Sequence, residues 1–83
     1  RLLGEIQERN ERIDDLAEEK RALVNQYEAT YGPYSPNGPL YLNGNANDEI
    51  ALKQQIDDVE TEIVNLEADV LILFGELNAL PGP

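Results

Sequence analysis

The 83-residue chain contains no cysteine, no histidine, no methionine and no tryptophan. Without cysteine or histidine, disulfides and thiolate or imidazole metal sites are unavailable to stabilise it. A chain of this length buries too little surface for a thick core of its own, so helix packing or oligomerisation has to supply the stability. Basic residues are also scarce, 6 against 17 acidic, for a net charge of −11. Such a field repels phosphate backbones and anionic lipid surfaces, so no nucleic-acid partner is expected. Long apolar runs are missing too. The longest, Val70 to Phe74, is far short of the ~20 residues of a membrane-spanning helix, and no basic-then-apolar signal peptide opens the chain. With Arg1 at the start and no methionine, the sequence reads as a piece of a longer protein. Nothing in it sets a localisation beyond the assembly proposed below.

What is present is a seven-residue repeat. Apolar side chains recur four and three residues apart through Leu52, Ile56, Val59, Ile63, Leu66, Val70, Leu73, Leu77 and Leu80. A 3.6-residue period would drift off this pattern over four heptads, so the spacing marks a coiled-coil seam. Residues 48–80 are therefore expected to form a helix. Asn45, Asn47 and Asp48 are candidate caps, Glu49 sits in the first turn where the helix dipole favours negative charge, and Pro81 and Gly82 are stop signals. Residues 1–31 carry the same repeat through Leu2, Ile6, Ile13, Leu16, Leu23 and Tyr27, interrupted by Arg9 and Lys20. Polar seam residues weaken pairing but can specify register.

Between the helices, residues 32–47 read GPYSPNGPLYLNGNAN. Three prolines forbid a continuing helix, and Asn37-Gly38 and Asn43-Gly44 offer turns. At 16 residues this loop exceeds the usual connection between paired helices, as functional or mobile loops do. Residues 81–83 are read as the start of a following segment. The expected fold class is all-α, two long helices joined by a Pro/Gly/Asn/Tyr loop and paired either as an antiparallel coiled-coil hairpin or as an intermolecular coiled coil.

Folding back so that paired residue numbers sum to 79 brings Leu2 to Leu77, Ile6 to Leu73, Ile13 to Leu66, Leu16 to Ile63, Leu23 to Ile56 and Tyr27 to Leu52. Arg9 and Lys20 then face Val70 and Val59, tolerable if their charged ends reach water or a neighbouring glutamate. Arg12 falls near Asp69, whereas Glu19 near Glu62 and Glu5 near Glu76 are unfavourable. Parallel self-association of the second helix would instead set Glu60, Glu62, Glu67 and Asp69 against their own copies. The first helix, with five of the six basic residues, is the better partner, from the same chain or another.

Two regions are candidates for recognition. The run from Val70 to Phe74 covers more helix circumference than one partner can bury. Together with Leu3, its residues Leu71, Ile72 and Phe74 form an apolar collar at the open end, to be covered by more of this chain or by other subunits. Tyr31, Tyr34 and Tyr41, with Tyr27, gather the aromatics near the loop. They offer either a contact surface or a small cluster that the loop folds over the helix ends. Asp14-Asp15 and Asp57-Asp58 point about 100° apart on a helix and do not converge, so they read as a solvated face. No nucleophile–base pair, phosphate loop or metal-ligand set is visible. No enzymatic activity, cofactor or metal is expected.

Four resemblances bear on the choice of function. Arg9–Arg21, RNERIDDLAEEKR, resembles the first helix of the small all-helical chorismate mutases, in which Arg precedes an Ile-Asp pair. That activity needs several converging cations for a dianionic substrate, and only Lys53 is basic after Arg21, so the activity is not expected. Ser35-Pro36-Asn37-Gly38-Pro39 is similar to the break between helices in type III secretion needle subunits, which lack so regular a heptad seam. The small secreted hairpins with a Trp-x-Gly turn are similar in shape, but this chain has no Trp. Leu80-Pro81-Gly82-Pro83 resembles the first step of the Gly-x-y run that follows trimeric coiled coils in phage tail fibres. This last resemblance implies a virion component, a fibre or baseplate element. The expected function is a non-enzymatic structural or assembly segment whose partners are protein subunits, self or heterologous, within a larger complex. The alternative is a binding module presenting its tyrosine-rich loop on a helical stalk.

Overall fold

The computed structural model describes residues 1–42 and 46–81. Helix α1 spans Leu2–Thr30 and helix α2 spans Asn47–Asn78. They lie antiparallel in one elongated hairpin, 64 × 18 × 17 Å. Of the two pairings left open by the sequence, the chain adopts the intramolecular one. No described helix is long and apolar enough to cross a membrane.

Three apolar clusters along the interface hold the helices together. At the open end Ile6 packs with Val70 and Leu73, flanked by Leu2, Ile13 and Leu77. In the middle Leu16 packs with Val59 and Ile63, flanked by Ile13, Leu23 and Leu66. At the closed end Tyr27 packs with Leu52 and Ile56, flanked by Leu23, Val24, Tyr31 and Tyr34. These groupings follow the register in which residue numbers sum to 79. The two seam cations sit between clusters and behave differently. Lys20 Nζ reaches Glu60 Oε1 at 2.7 Å. Arg9 folds back on its own helix and donates from Nη1 to the Glu5 carbonyl at 3.1 Å.

Several details depart from the sequence reading. Helix α2 ends at Asn78, before Pro81, and Leu80 lies beyond it, 57% exposed. Arg12 pairs with Glu62 at 3.1 Å, one heptad from Asp69 in the same flanking row, and this places a cation beside the carboxylate otherwise nearest Glu19. The N-cap of α2 is Ala46, with no side-chain cap bond, so neither Asn47 nor Asp48 caps the helix. Asn45, the Asn43-Gly44 turn, Gly82 and Pro83 lie outside the described residues.

Candidate functional site: a buried carboxylate clasp and an exposed apolar end

The closed end is organised around Glu49. Extending the α2 seam back three residues from Leu52 lands on this glutamate, so helical geometry turns its side chain into the interface. It is fully buried, 0% exposed, and a carboxylate taken out of water needs hydrogen-bond donors to persist. Three supply it. The Tyr27 hydroxyl donates to Oε2 at 2.6 Å, the Tyr41 amide to the same oxygen at 2.8 Å, and the Leu42 amide to Oε1 at 2.9 Å. Burial by itself pushes the Glu49 carboxyl up. The Tyr27 hydroxyl, the two amides and the nearby Lys53 charge outweigh it and hold the group below the usual carboxylate range. Burial, then the bond to Glu49 and its charge, push the Tyr27 phenol well above its ordinary value.

The loop wraps this pair. The rings of Tyr31, Tyr34 and Tyr41 stand 5.1, 5.4 and 6.3 Å from that of Tyr27, tilted or edge-on, arrangements favoured by the aromatic quadrupole. Tyr41 donates from its hydroxyl to the Pro33 carbonyl at 2.6 Å. The Tyr34 amide donates to Glu28 at 2.9 Å, and Lys53 Nζ donates to the Gly38 carbonyl at 3.0 Å. Pro36 and Asn37 occupy the centre of a turn closed by the Gly38 amide on the Ser35 carbonyl, 3.1 Å. Gly32, just past the Tyr31 C-cap of α1, has φ +143°, and a Cβ there would sit 3.1 Å from the Tyr41 ring. The sequence-identified tyrosines are thus brought together, with Tyr31 and Tyr34 half-buried and Tyr41 partly in solvent. Glu49, which the Tyr27 hydroxyl and the Tyr41 amide bind, is read from sequence as a helix-dipole residue, although its place in the seven-residue repeat is the available signal.

The open end is different in kind. Leu3, Leu71, Ile72 and Phe74 are 64, 73, 60 and 42% exposed, so a large part of each stays outside the hairpin interface. Beside them a shallow groove between the helices is lined by Asn10, Ile13, Glu67, Val70, Leu71 and Phe74. Asp14, Asp15, Asp57 and Asp58 are exposed on the helix surfaces. Among the described residues no group of three or more Asp or Glu is placed to hold a metal ion. Comparison with protein families, with curated proteins and with solved structures finds no match for this chain.

Proposed function

We propose that this hairpin is a non-enzymatic assembly segment, a rigid two-helix element that docks by its open end onto other protein subunits of a larger complex. The observation that carries the reading is the exposure of Leu3, Leu71, Ile72 and Phe74 on one end of a hairpin whose seam from Leu2 to Leu77 is buried or half-buried in its apolar residues. Exposed apolar side chains of this size gathered at one end mark interaction surfaces. The tyrosine-rich loop serves as the clasp of the closed end, a role supported by its inward hydrogen bonds to Glu49. A fibre or baseplate element of a virion is the specific assembly favoured by the Leu80-Pro81-Gly82-Pro83 resemblance.

The test is a Leu71→Ser/Phe74→Ser variant expressed in the native source. Both sites are exposed, so helicity and melting should stay close to wild type, while native size-exclusion should move the chain from a large complex to its free mass. Retention of the variant in the large complex would sink the assembly reading of this end.

A further inference from the structure

The two long sides of the hairpin are chemically unlike. On one side the flanking rows are Glu5, Arg12, Glu19 and Gln26 on α1, and Gln55, Glu62, Asp69 and Glu76 on α2. All are polar, and the Arg12–Glu62 pair bridges them. On the other side α1 presents Leu3, Asn10, Ala17 and Val24, spaced by seven, and α2 presents Lys53, Glu60, Glu67 and Phe74. Next to that row run Ile50, Asp57, Val64 and Leu71, again spaced by seven. Of the ten large hydrophobic residues exposed among the described residues, Leu3, Ile50, Val64, Leu71 and Phe74 fall on this side. Lys53, Asp57 and Glu60 make the closed half of this side polar, and the loop lies against it. Toward the open end, by contrast, Leu3, Val64, Leu71 and Phe74 leave an apolar face beside a satisfied seam, as on a helix pair that receives a further helix.

Charge decides what that helix carries. Glu60 on this side holds Lys20 at 2.7 Å. Glu67, one heptad further along the same row, lines the apolar groove with Ile13, Val70, Leu71 and Phe74. Among the described residues the ion pairs are Arg12–Glu62 and Lys20–Glu60, so Glu67 faces the groove without a cation. A second copy of the chain, with net charge −11, would bring its own acids to this side, and like charges across an interface oppose association.

We infer that the groove of Asn10, Ile13, Glu67, Val70, Leu71 and Phe74 receives an amphipathic helix of a different protein, whose apolar stripe is flanked by Lys or Arg, one of them pairing with Glu67. The inference rests on the docking role proposed for the open end and adds the partner's chemistry. Leu71 and Phe74 supply the apolar contact and Glu67 sets the charge preference, as Glu60 does for Lys20 within the hairpin.

Two labelled synthetic helical peptides with the same leucine stripe, one flanked by Lys and one by Glu, test this by fluorescence anisotropy with the 83-residue chain. The Lys-flanked peptide should bind one to one and the Glu-flanked peptide more weakly. Leu71→Ser/Phe74→Ser should weaken Lys-peptide binding roughly 10–100-fold, the value of burying such side chains. Glu67→Gln should weaken it roughly 2–5-fold, as for a surface ion pair. Glu11→Gln, the same charge change at an exposed position off this face, should leave it unchanged. Circular dichroism checks that each variant keeps its helices. If the double variant binds like wild type, both the docking role and the inference fail. If the double variant loses binding but the two peptides bind alike, or Glu67→Gln matches Glu11→Gln, the docking end stands and the basic partner is overturned. A concentration-dependent dimer of the chain alone, dissolved by Leu71→Ser/Phe74→Ser, would name a second copy as occupant and overturn it as well.

Discussion

The Tyr27 hydroxyl donates a 2.6 Å hydrogen bond to Glu49 Oε2 in the interior of the closed end, joining the last turns of α1 to the first turn of α2. The same carboxylate receives the Tyr41 and Leu42 amides, so one buried charge ties both helices and the loop. Hydrogen bonds to a charged group are the stronger kind, and removing one partner of a buried set leaves the others unsatisfied.

Glu49→Gln should therefore lower the melting temperature at neutral pH, because an amide oxygen cannot accept all three donors as well and its NH2 would face a donor. The folded-state carboxyl lies below its unfolded value. Its stabilisation is thus present above the unfolded value, ~4.3, and is lost as pH falls through the folded one. Acid also relieves repulsion among the other carboxylates, so the informative quantity is the difference in melting temperature between wild type and Glu49→Gln. That difference should shrink below about pH 4. A difference constant from pH 7 to pH 3 would contradict the clasp.

The phenol of Tyr27 gives an independent check at the alkaline end. Its folded value is raised, so its contribution is complete below the unfolded tyrosine value, ~10, and is lost as pH rises further. In an ultraviolet titration of the chain's four tyrosines, Tyr27 should ionise last, only as the helices melt, with Tyr34, which burial also pushes up, shifted ahead of it. Tyr27→Phe should remove the last component to ionise. Simultaneous ionisation of all four at ordinary pH would show the hydroxyl to be free.

Gly32 is the residue on which the loop turns back. At φ +143° with the Tyr41 ring 3.1 Å from a would-be Cβ, Gly32→Ala is strained in backbone and crowded in space. A loss of roughly 1–3 kcal/mol is expected from the backbone conformation alone. Gly4→Ala is the control, with open space around it in α1; it should be neutral or stabilising by up to about 1 kcal/mol. Chemical denaturation of both variants reads the contrast, and equal stabilities would mean the loop refolds around the substitution.

The hairpin was legible because the seven-residue repeat fixes both which residues face inward and, once the loop is placed, one register. Leu16 against Ile63 and Tyr27 against Leu52 follow from counting. Glu49 was missed because a carboxylate in a first helical turn has a ready explanation in the dipole, although extending the repeat one step puts it inside. Asn47 and Asp48 do not cap because the helix starts one residue earlier than their spacing suggests: Ala46 is the N-cap and both already lie inside the first turn. Arg12 on α1 faces a row of three acids at seven-residue spacing on α2, Glu62, Asp69 and Glu76; counting places it near Asp69, and the long side chain pairs instead with Glu62 one heptad away.

Depth in the seam should rank the cost of truncation. Ile56 and Leu16 are fully buried, whereas Leu66 and Leu77 flank their clusters and are half-buried. Ile56→Ala and Leu16→Ala should each cost ~2–5 kcal/mol. Leu66→Ala should fall at or below the lower end of that range, since less apolar area is returned to water. Denaturant midpoints give the order, and a larger loss at Leu66 than at Ile56 would indicate that another subunit buries Leu66.

Lys20 shows why a polar residue can persist in an apolar seam. Its stem lies across the interface between the middle and closed-end clusters while its ammonium reaches Glu60, an arrangement worth at most about 1 kcal/mol in a partly exposed pair. Lys20→Leu replaces that pair with apolar packing against Val59, so the hairpin should melt higher. The same change removes a polar marker of register, and a continuous leucine seam is compatible with other strand numbers and orientations. Light scattering across a dilution series should then find the wild-type chain at one mass and the variant forming concentration-dependent oligomers. A variant that melts higher yet keeps the wild-type mass throughout would mean that loop length and the Glu49 clasp already fix the pairing, with Lys20 contributing only its solvated charge.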